Sequence, residues 1–147
     1  KNAAGVAQFL TGTPPILSLA VLDSALDVFE DITITDINRK ANALAELFLD
    51  LVTNDKDLHC LALESKADSA LRGTQLAFSH ADAYAISRAL NKARVVVDFR
   101  SPDIIRFGFS PLFLRFEDIW RATQIIKEIV KEKTYLADEF SQKLKVT

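Results

Sequence analysis

Apolar and polar residues follow two different periods along this chain. Over the first thirty residues, large apolar side chains recur three and four positions apart, as on one face of a helix. The positions are Leu19, Leu22, Leu26 and Phe29. The helix should begin at Pro14 and Pro15, because proline is tolerated in a first turn, where its missing N–H has no partner to lose. We therefore predict a helix after the double proline, with these four side chains as a buried stripe.

A second amphipathic helix is predicted from Thr33 to about Val52. Thr33 is followed three residues later by Asp36, which is the spacing of a capping box at a helix N-terminus. The apolar positions of this helix are Ile37, Ala41, Leu44, Phe48 and Leu51. A polar turn at residues 54–57 ends it.

Beyond this turn the chain contains short runs rich in apolar, β-branched and aromatic residues, which are typical of strands. These runs are residues 58–63, 74–78, 95–99 and 104–109. Helical spacing returns at residues 81–90 and 117–132, so the predicted order is ααββαββα. Strands joined by hairpins and single helices favour an α+β fold, with helices packed on a small, mostly antiparallel sheet.

Composition and charge limit the classes of protein. The 147 residues are 49% apolar and 26% charged, which is typical of one globular domain. The net charge is −2 and the basic residues are scattered, so neither nucleic acid nor an anionic membrane is expected as a partner. No apolar stretch approaches the roughly 20 residues that a membrane helix needs, and no signal peptide is recognisable. We expect a soluble, cytoplasmic protein.

The cysteine and histidine content argues against a metal site. A single cysteine, Cys60, excludes an intramolecular disulfide and a multi-cysteine zinc site. It lies in an apolar run, which predicts a buried structural thiol. His59 and His80 have no partner at metal-ligand spacing, and we predict that the chain binds no metal.

The first candidate for chemistry is Arg106, which ends a predicted strand and is followed by glycine, proline and aromatic residues. Its guanidinium is a rigid, bidentate partner for a carboxylate, and surrounding aromatic rings would exclude water and strengthen that pairing. The alternative is a structural arginine that caps the sheet or pairs with Asp98 or Asp103. Composition alone favours the structural alternative.

The second candidate is the segment of residues 9–15, where Gly12 and Thr13 stand before a predicted helix. Backbone N–H groups and hydroxyls at such a point favour a phosphate oxygen. The alternative is that Thr13 only caps the helix. Residues 72–75 and 97–100 also combine charge with a turn or a strand end, but such segments are more often solvated turns or surface pairs.

Four segments together resemble bacterial kynureninases in order and spacing over essentially the whole chain. They are residues 9–18, 72–75, 98–102 and 106–112. The resemblance implies a homodimeric fold-type I pyridoxal-phosphate hydrolase, similar to class V aminotransferases. Such an enzyme converts L-kynurenine to anthranilate and L-alanine in tryptophan catabolism and NAD biosynthesis. It further implies that residues 1–14 enter from a large domain and that residues 15–147 form the C-terminal small domain.

The resemblance also implies roles for three residues. In that family the small domain supplies the arginine for the substrate α-carboxylate, and the matching position is Arg106. The segment before the double proline contributes across the dimer interface to the region of the cofactor phosphate and the substrate. This implies Gly12 and Thr13 as cofactor-binding residues and Thr13 as a substrate-binding residue as well.

The chain departs from the family pattern near the third segment. Ala93 and Arg94 stand where an Arg-Gly turn is usual, and Val97 stands where glycine is common. A tyrosine is usual at Phe113. Loss of glycine makes the backbone less permissive, so we expect altered strand geometry near Asp98.

The resemblance places the Schiff-base lysine in the family's large domain, and no lysine here stands in the expected context. The chain begins with Lys1 and contains no methionine, so we expect a fragment that is inactive alone and binds no pyridoxal phosphate covalently. Two alternatives are the small domain of a cysteine desulfurase or class V aminotransferase, and a non-catalytic α+β module that binds an amino acid through Arg106 or dimerises.

Overall fold

The computed structural model of the chain describes residues 3–10 and 12–142. The chain divides into two compact units, Lys1–Ile34 and Thr35–Thr147, and each is described by itself. The boundary implied after residue 14, between a large-domain segment and a small domain, stays a prediction. The residues outside the described part of the chain are 1–2, 11 and 143–147. The predicted large-domain segment, residues 1–14, and the first family segment, residues 9–18, both include some of them.

The first unit contains one longer helix, α1 (Ile16–Leu26), between two short 3₁₀ turns, Gly5–Phe9 and Asp27–Phe29. The helix begins after the double proline as predicted, with Pro15 in the N-cap position. The prediction of a buried stripe is wrong. Its members are exposed by 48%, 53%, 53% and 39%, in the order Leu19, Leu22, Leu26 and Phe29. The described residues of this unit provide no second apolar layer that could cover the helix.

The second unit has four helices among its described residues. They are α2 (Ile34–Thr53), α3 (Ala83–Lys92), α4 (Phe116–Lys131) and α5 (Asp138–Ser141). The first three confirm the predicted helices, whereas the single turn of α5 has no periodic signal in the sequence. Helix α2 starts directly after Thr33, and its buried face includes Leu44, Phe48 and Val52.

The second unit also contains a four-stranded sheet with the order β1-β2-β4-β3, in which every neighbouring pair is antiparallel. The strands are β1 (Ala62–Leu63), β2 (Gln75–Ser79), β3 (Asp98–Arg100) and β4 (Ile104–Gly108). Helices packed on a small antiparallel sheet confirm the predicted α+β fold.

Two strands are shorter than predicted, for identifiable reasons. A 3₁₀ turn, Lys56–Leu58, occupies the start of the first predicted run. Cys60 lies between this turn and β1 and is exposed, so the prediction of a buried thiol is wrong. In the third run, the N–H of Val97 donates to Oδ1 of Asn91, and the Val97 carbonyl accepts from Nδ2 of Asn91. These bonds replace a strand partner, and pairing begins only at Asp98.

The core of the second unit forms where one face of the sheet packs on the helices. Side chains alternate between the two faces of a strand, and Leu76, Phe78, Ile105 and Phe107 point inward and are buried. Phe48 of α2 lies with its ring centroid 4.8 Å from that of Phe107. The residues between these buried positions therefore point to the other side, which we call the outer face. Among the described residues, no helix has the length and apolar character required to cross a membrane.

Candidate functional site

The outer face brings three charged residues together. In the register of β3 and β4, Asp98 is directly opposite Arg106. Arg100 lies two residues after Asp98 in the same strand, so it shares this face. Strand alternation therefore places Arg106 on the outer face, and the register of the β3–β4 pair places Asp98 beside it.

One carboxylate oxygen holds both guanidinium groups. Oδ2 of Asp98 accepts hydrogen bonds from Nε of Arg106 at 2.8 Å and from Nη2 of Arg106. The same oxygen accepts a bond from Nε of Arg100 at 3.0 Å. The hydrogen bond from Arg106, followed by the positive charge of Arg100, lowers the pKa of Asp98 below its ordinary value. The pair with Asp98 is the contact that the structural alternative for Arg106 predicted.

Asp98 nevertheless leaves part of Arg106 available. A guanidinium can grip an acceptor along the edge formed by Nε and Nη2 or along the edge formed by Nη1 and Nη2. Asp98 takes the first edge, and Nη1 makes no hydrogen bond within residues 3–10 and 12–142. The Arg106 side chain is 32% exposed. Two arginines and one aspartate give this cluster a net positive charge, which suits an anion.

Two neighbours of Arg106 on the outer face are small, whereas Ile104, two residues before it in β4, is larger. Ala77 of β2 is directly opposite Arg106, and Gly108 lies two residues further along β4. A Cβ atom at Gly108 would meet only Nε2 of Gln75, at 3.9 Å. These positions leave space beside the guanidinium for a bound group.

The predicted aromatic surroundings of Arg106 are not formed by its neighbours in the sequence. Phe107 and Phe109 are each only 5% exposed and point into the core. Phe107 is one position and Phe109 three positions after Arg106, and in extended backbone an odd offset points a side chain to the opposite side. Phe113 is 74% exposed. These rings therefore do not exclude water from the outer face around Arg106.

Gly12 and Thr13 are exposed and precede α1 in the first unit. The alternative in which Thr13 caps the helix is wrong, because Pro15 is the N-cap and makes no side-chain capping bond. The first turn of α1 also contains no acidic residue. A Cβ atom at Gly12 would meet nothing within 4 Å. The N–H groups of this turn are thus without a side-chain cap, and together with a hydroxyl and an open glycine they fit a phosphate.

Two further features lie outside the residues assigned to the site. Nε and Nη2 of Arg72 are buried and have no hydrogen-bond partner in the part of the chain that the structure describes, whereas Nη1 donates to the Gly73 carbonyl at 3.1 Å. On the inner side of the sheet, a cavity of about 520 Å³ is lined mainly by apolar side chains, including Phe48 and Phe109. Arg106 is not among the residues that line it.

The segment before β3 shows the effect of the missing glycine. Arg94 has φ of 65°, which is the left-handed conformation that glycine adopts readily. Arg94, which stands where the resemblance implies glycine, therefore carries a side chain in this conformation. The strand beyond it still pairs, since Asp98 is in register with Arg106.

Comparison with known proteins connects this architecture to a family. A family model described as the kynureninase C-terminal domain matches residues 37–126. The kynureninase of Pseudomonas fluorescens is 40% identical over 143 residues, which cover 97% of this chain and 34% of that relative. The kynureninases of Burkholderia mallei (strain SAVP1) and Burkholderia pseudomallei (strain K96243) are each 37% identical, with the same coverage. The chain spans about a third of the length of these curated relatives.

The matched range includes three of the four segments on which the resemblance was based, namely residues 72–75, 98–102 and 106–112. The matches favour the kynureninase interpretation over a cysteine desulfurase, a class V aminotransferase or a free-standing binding module. Because the family model covers most of its length, the chain belongs to the kynureninase C-terminal domain family.

Proposed function

We propose that this chain serves as the small domain of a pyridoxal-phosphate-dependent kynureninase, which hydrolyses L-kynurenine to anthranilate and L-alanine. Its relatives carry the name kynureninase, but the chain spans only about a third of their length. The observation that carries the proposal is the open Nη1 and Nη2 edge of Arg106 in a cluster of net positive charge. Arg106 is the receptor for the α-carboxylate of the substrate.

A carboxylate fixed at two points cannot rotate freely. Binding to the Nη1 and Nη2 edge of Arg106 would hold the α-carbon of the amino acid in one orientation. Orientation of this kind contributes to catalysis because the entropy is lost on binding, which lowers the entropic part of the reaction barrier. Ala77 and Gly108 leave the space that this approach requires. Arg106 therefore binds and orients the substrate, and no proton transfer is assigned to it.

Gly12 and Thr13 are the residues of this chain that we assign to the cofactor phosphate, with the N–H groups of the first turn of α1. Thr13 also approaches the substrate. Pyridoxal phosphate, when bound, supplies the electron sink that weakens bonds to the α-carbon. We place the lysine that anchors it in the large domain of a cytoplasmic homodimer. On this proposal the present chain alone neither binds the cofactor covalently nor releases anthranilate.

The test of the substrate role uses the full-length protein with Arg106→Ala and Arg106→Lys. Loss of a charge-assisted bidentate contact of about 3 kcal/mol should lower kcat/KM by more than about a hundredfold, at about 1.36 kcal/mol per factor of ten. Lysine should restore little, since an ammonium keeps the charge but lacks the planar fork. Arg115→Ala is the control, because that exposed guanidinium pairs with Asp118 on α4. A folded Arg106→Ala protein within about threefold of wild type would leave Arg106 with a structural role only.

A second test uses the chain as it stands. Incubation with pyridoxal phosphate, followed by borohydride reduction and mass spectrometry, should yield no single modified lysine. A parallel incubation that also contains L-kynurenine should release no anthranilate. Specific modification together with anthranilate release would contradict the assignment of the anchoring lysine to another domain.

A further inference from the structure

The guanidinium of Arg106 is fixed by hydrogen bonds to Asp98. An arginine side chain has many rotamers, and neighbouring groups must overcome this rotamer entropy to fix its orientation. Ala77, directly opposite on β2, and Gly108, two residues further along β4, are too small to restrict it, whereas Ile104, two residues before Arg106, is a larger neighbour on the same face. Among the described residues, the hydrogen bonds that the Arg106 side chain donates all go to Asp98. Asp98 is therefore the group that selects the orientation of the guanidinium.

Asp98 alone would orient Arg106 but would also neutralise its charge. A carboxylate paired with Arg106 cancels the positive charge that an incoming carboxylate requires. Arg100 removes this conflict, because its Nε donates to the same oxygen of Asp98 at 3.0 Å. The Arg100 side chain is 62% exposed, so it supplies the compensating charge from the edge of the cluster. With Arg100 present, the cluster keeps one net positive charge.

We propose that Asp98 is a positioning residue that aims the free edge of Arg106 at the substrate carboxylate, and that Arg100 is the counter-ion that keeps the cluster positive. This inference rests on the proposed function of Arg106. Asp98 and Arg100 act through Arg106, and neither is assigned a contact with the substrate.

The test compares two ligands of the full-length protein that differ only in the α-carboxylate. One is L-kynurenine, measured through KM, and the other is its decarboxylated amine, measured as a competitive inhibitor. Asp98→Ala should raise KM for L-kynurenine by about tenfold, because the guanidinium is no longer aimed. It should change the inhibition constant of the amine by less than about twofold. A general loss of structure would weaken both ligands together.

Arg100 provides a charge rescue. Arg100→Gln should raise KM for L-kynurenine by about threefold or more, whereas Arg100→Lys, which keeps the charge, should stay within about twofold of wild type. Asp98→Asn keeps the shape of the side chain and should fall between wild type and Asp98→Ala. It also serves if the alanine variant does not fold. The control is Glu139→Gln, which removes an exposed carboxylate paired with Lys92 at 2.7 Å. This substitution should change neither constant.

Combining the variants separates this inference from the proposed function. In an Arg106→Ala background, Asp98→Ala should have no further effect on KM, because its action passes through Arg106. If Arg106→Ala raises KM but Asp98→Ala does not, or if Asp98→Ala weakens both ligands equally, the positioning role is wrong while the proposed function stands. If Arg106→Ala itself leaves KM unchanged, both are wrong.

Discussion

The side chain of Asn91 holds both backbone groups of Val97, accepting from its N–H at 2.9 Å and donating to its carbonyl at 3.3 Å. Asn91 is at the end of α3, and Val97 is the residue before β3. This contact therefore sets where β3 begins and brings Asp98 into register with Arg106.

Asn91→Ala should destabilise the second unit. Each hydrogen bond contributes about 0.5–1.5 kcal/mol, so the loss of two should lower the free energy of unfolding by about 1–3 kcal/mol. Denaturant unfolding of the chain measures it, with Asn38→Ala, an exposed asparagine of α2, as the control. Equal stability of the two variants would show that the contact between Asn91 and Val97 does not stabilise the segment before β3.

Arg94→Gly should stabilise the chain. A side chain in the left-handed region costs about 1–2 kcal/mol, and the greater freedom of glycine in the unfolded chain offsets part of the gain. We expect a net increase of about 0.5–1 kcal/mol in the free energy of unfolding, since Arg94 has φ of 65°. Arg94→Ala removes the same charged side chain but keeps Cβ, so it should show no increase. An equal effect of glycine and alanine would assign the change to the lost guanidinium.

The ion pair of Asp98 should make stability depend on pH in the acid range. The folded state lowers the pKa of Asp98 below 3.8, chiefly through the hydrogen bond from Arg106. The pair therefore contributes fully above the unfolded pKa and is lost as the pH falls through the lower, folded value. Because the Asp98 side chain is 47% exposed, the contribution should not exceed about 1 kcal/mol.

The measurement is the difference in unfolding free energy between wild type and Asp98→Asn as a function of pH. All other carboxylates are common to both proteins, so the difference isolates Asp98. It should be constant above about pH 5 and shrink below about pH 4. A difference that stays constant in acid would indicate that the pair adds nothing to folding.

Thr13→Ala in the full-length protein should weaken cofactor retention or raise KM. Loss of one neutral hydrogen bond predicts about 0.5–1.5 kcal/mol, or roughly two- to tenfold. Because Pro15 is the N-cap, the substitution should not lower the stability of α1. Ser24→Ala, which removes an exposed hydroxyl from the other end of α1, is the control. Equal kinetics for the two variants would remove Thr13 from the site.

Much of the second unit follows from periodicity, because α2, α3 and α4 each bury one face and β2 and β4 alternate. The hydrogen-bond partner of Arg106 does not follow from periodicity. Asp98 and Asp103 are equally possible in the sequence, and only the register of β3 and β4 selects Asp98. The aromatic residues beside Arg106 also misled the prediction, since neighbours in a strand point to opposite faces.

Helix α1 shows the limit of spacing rules. Leu19, Leu22 and Leu26 have the spacing of a stripe, but Leu17 and Val21 place apolar side chains on the other sides as well, with exposures of 84% and 71%. A helix that is apolar all round indicates burial by several neighbours rather than by one. Sequence periodicity cannot show whether those neighbours belong to the same chain.

The exposure of α1 has a consequence for the rate at which its amide hydrogens exchange with deuterium. Its 11 residues are below the roughly 12–15 that make an isolated helix stable in water, and no residue of α1 is buried. In the chain alone, residues 16–26 should exchange by local opening, whereas the core of the second unit should exchange only by global unfolding. Any protection that these amides gain in a longer protein would therefore measure, residue by residue, how tightly that protein covers α1.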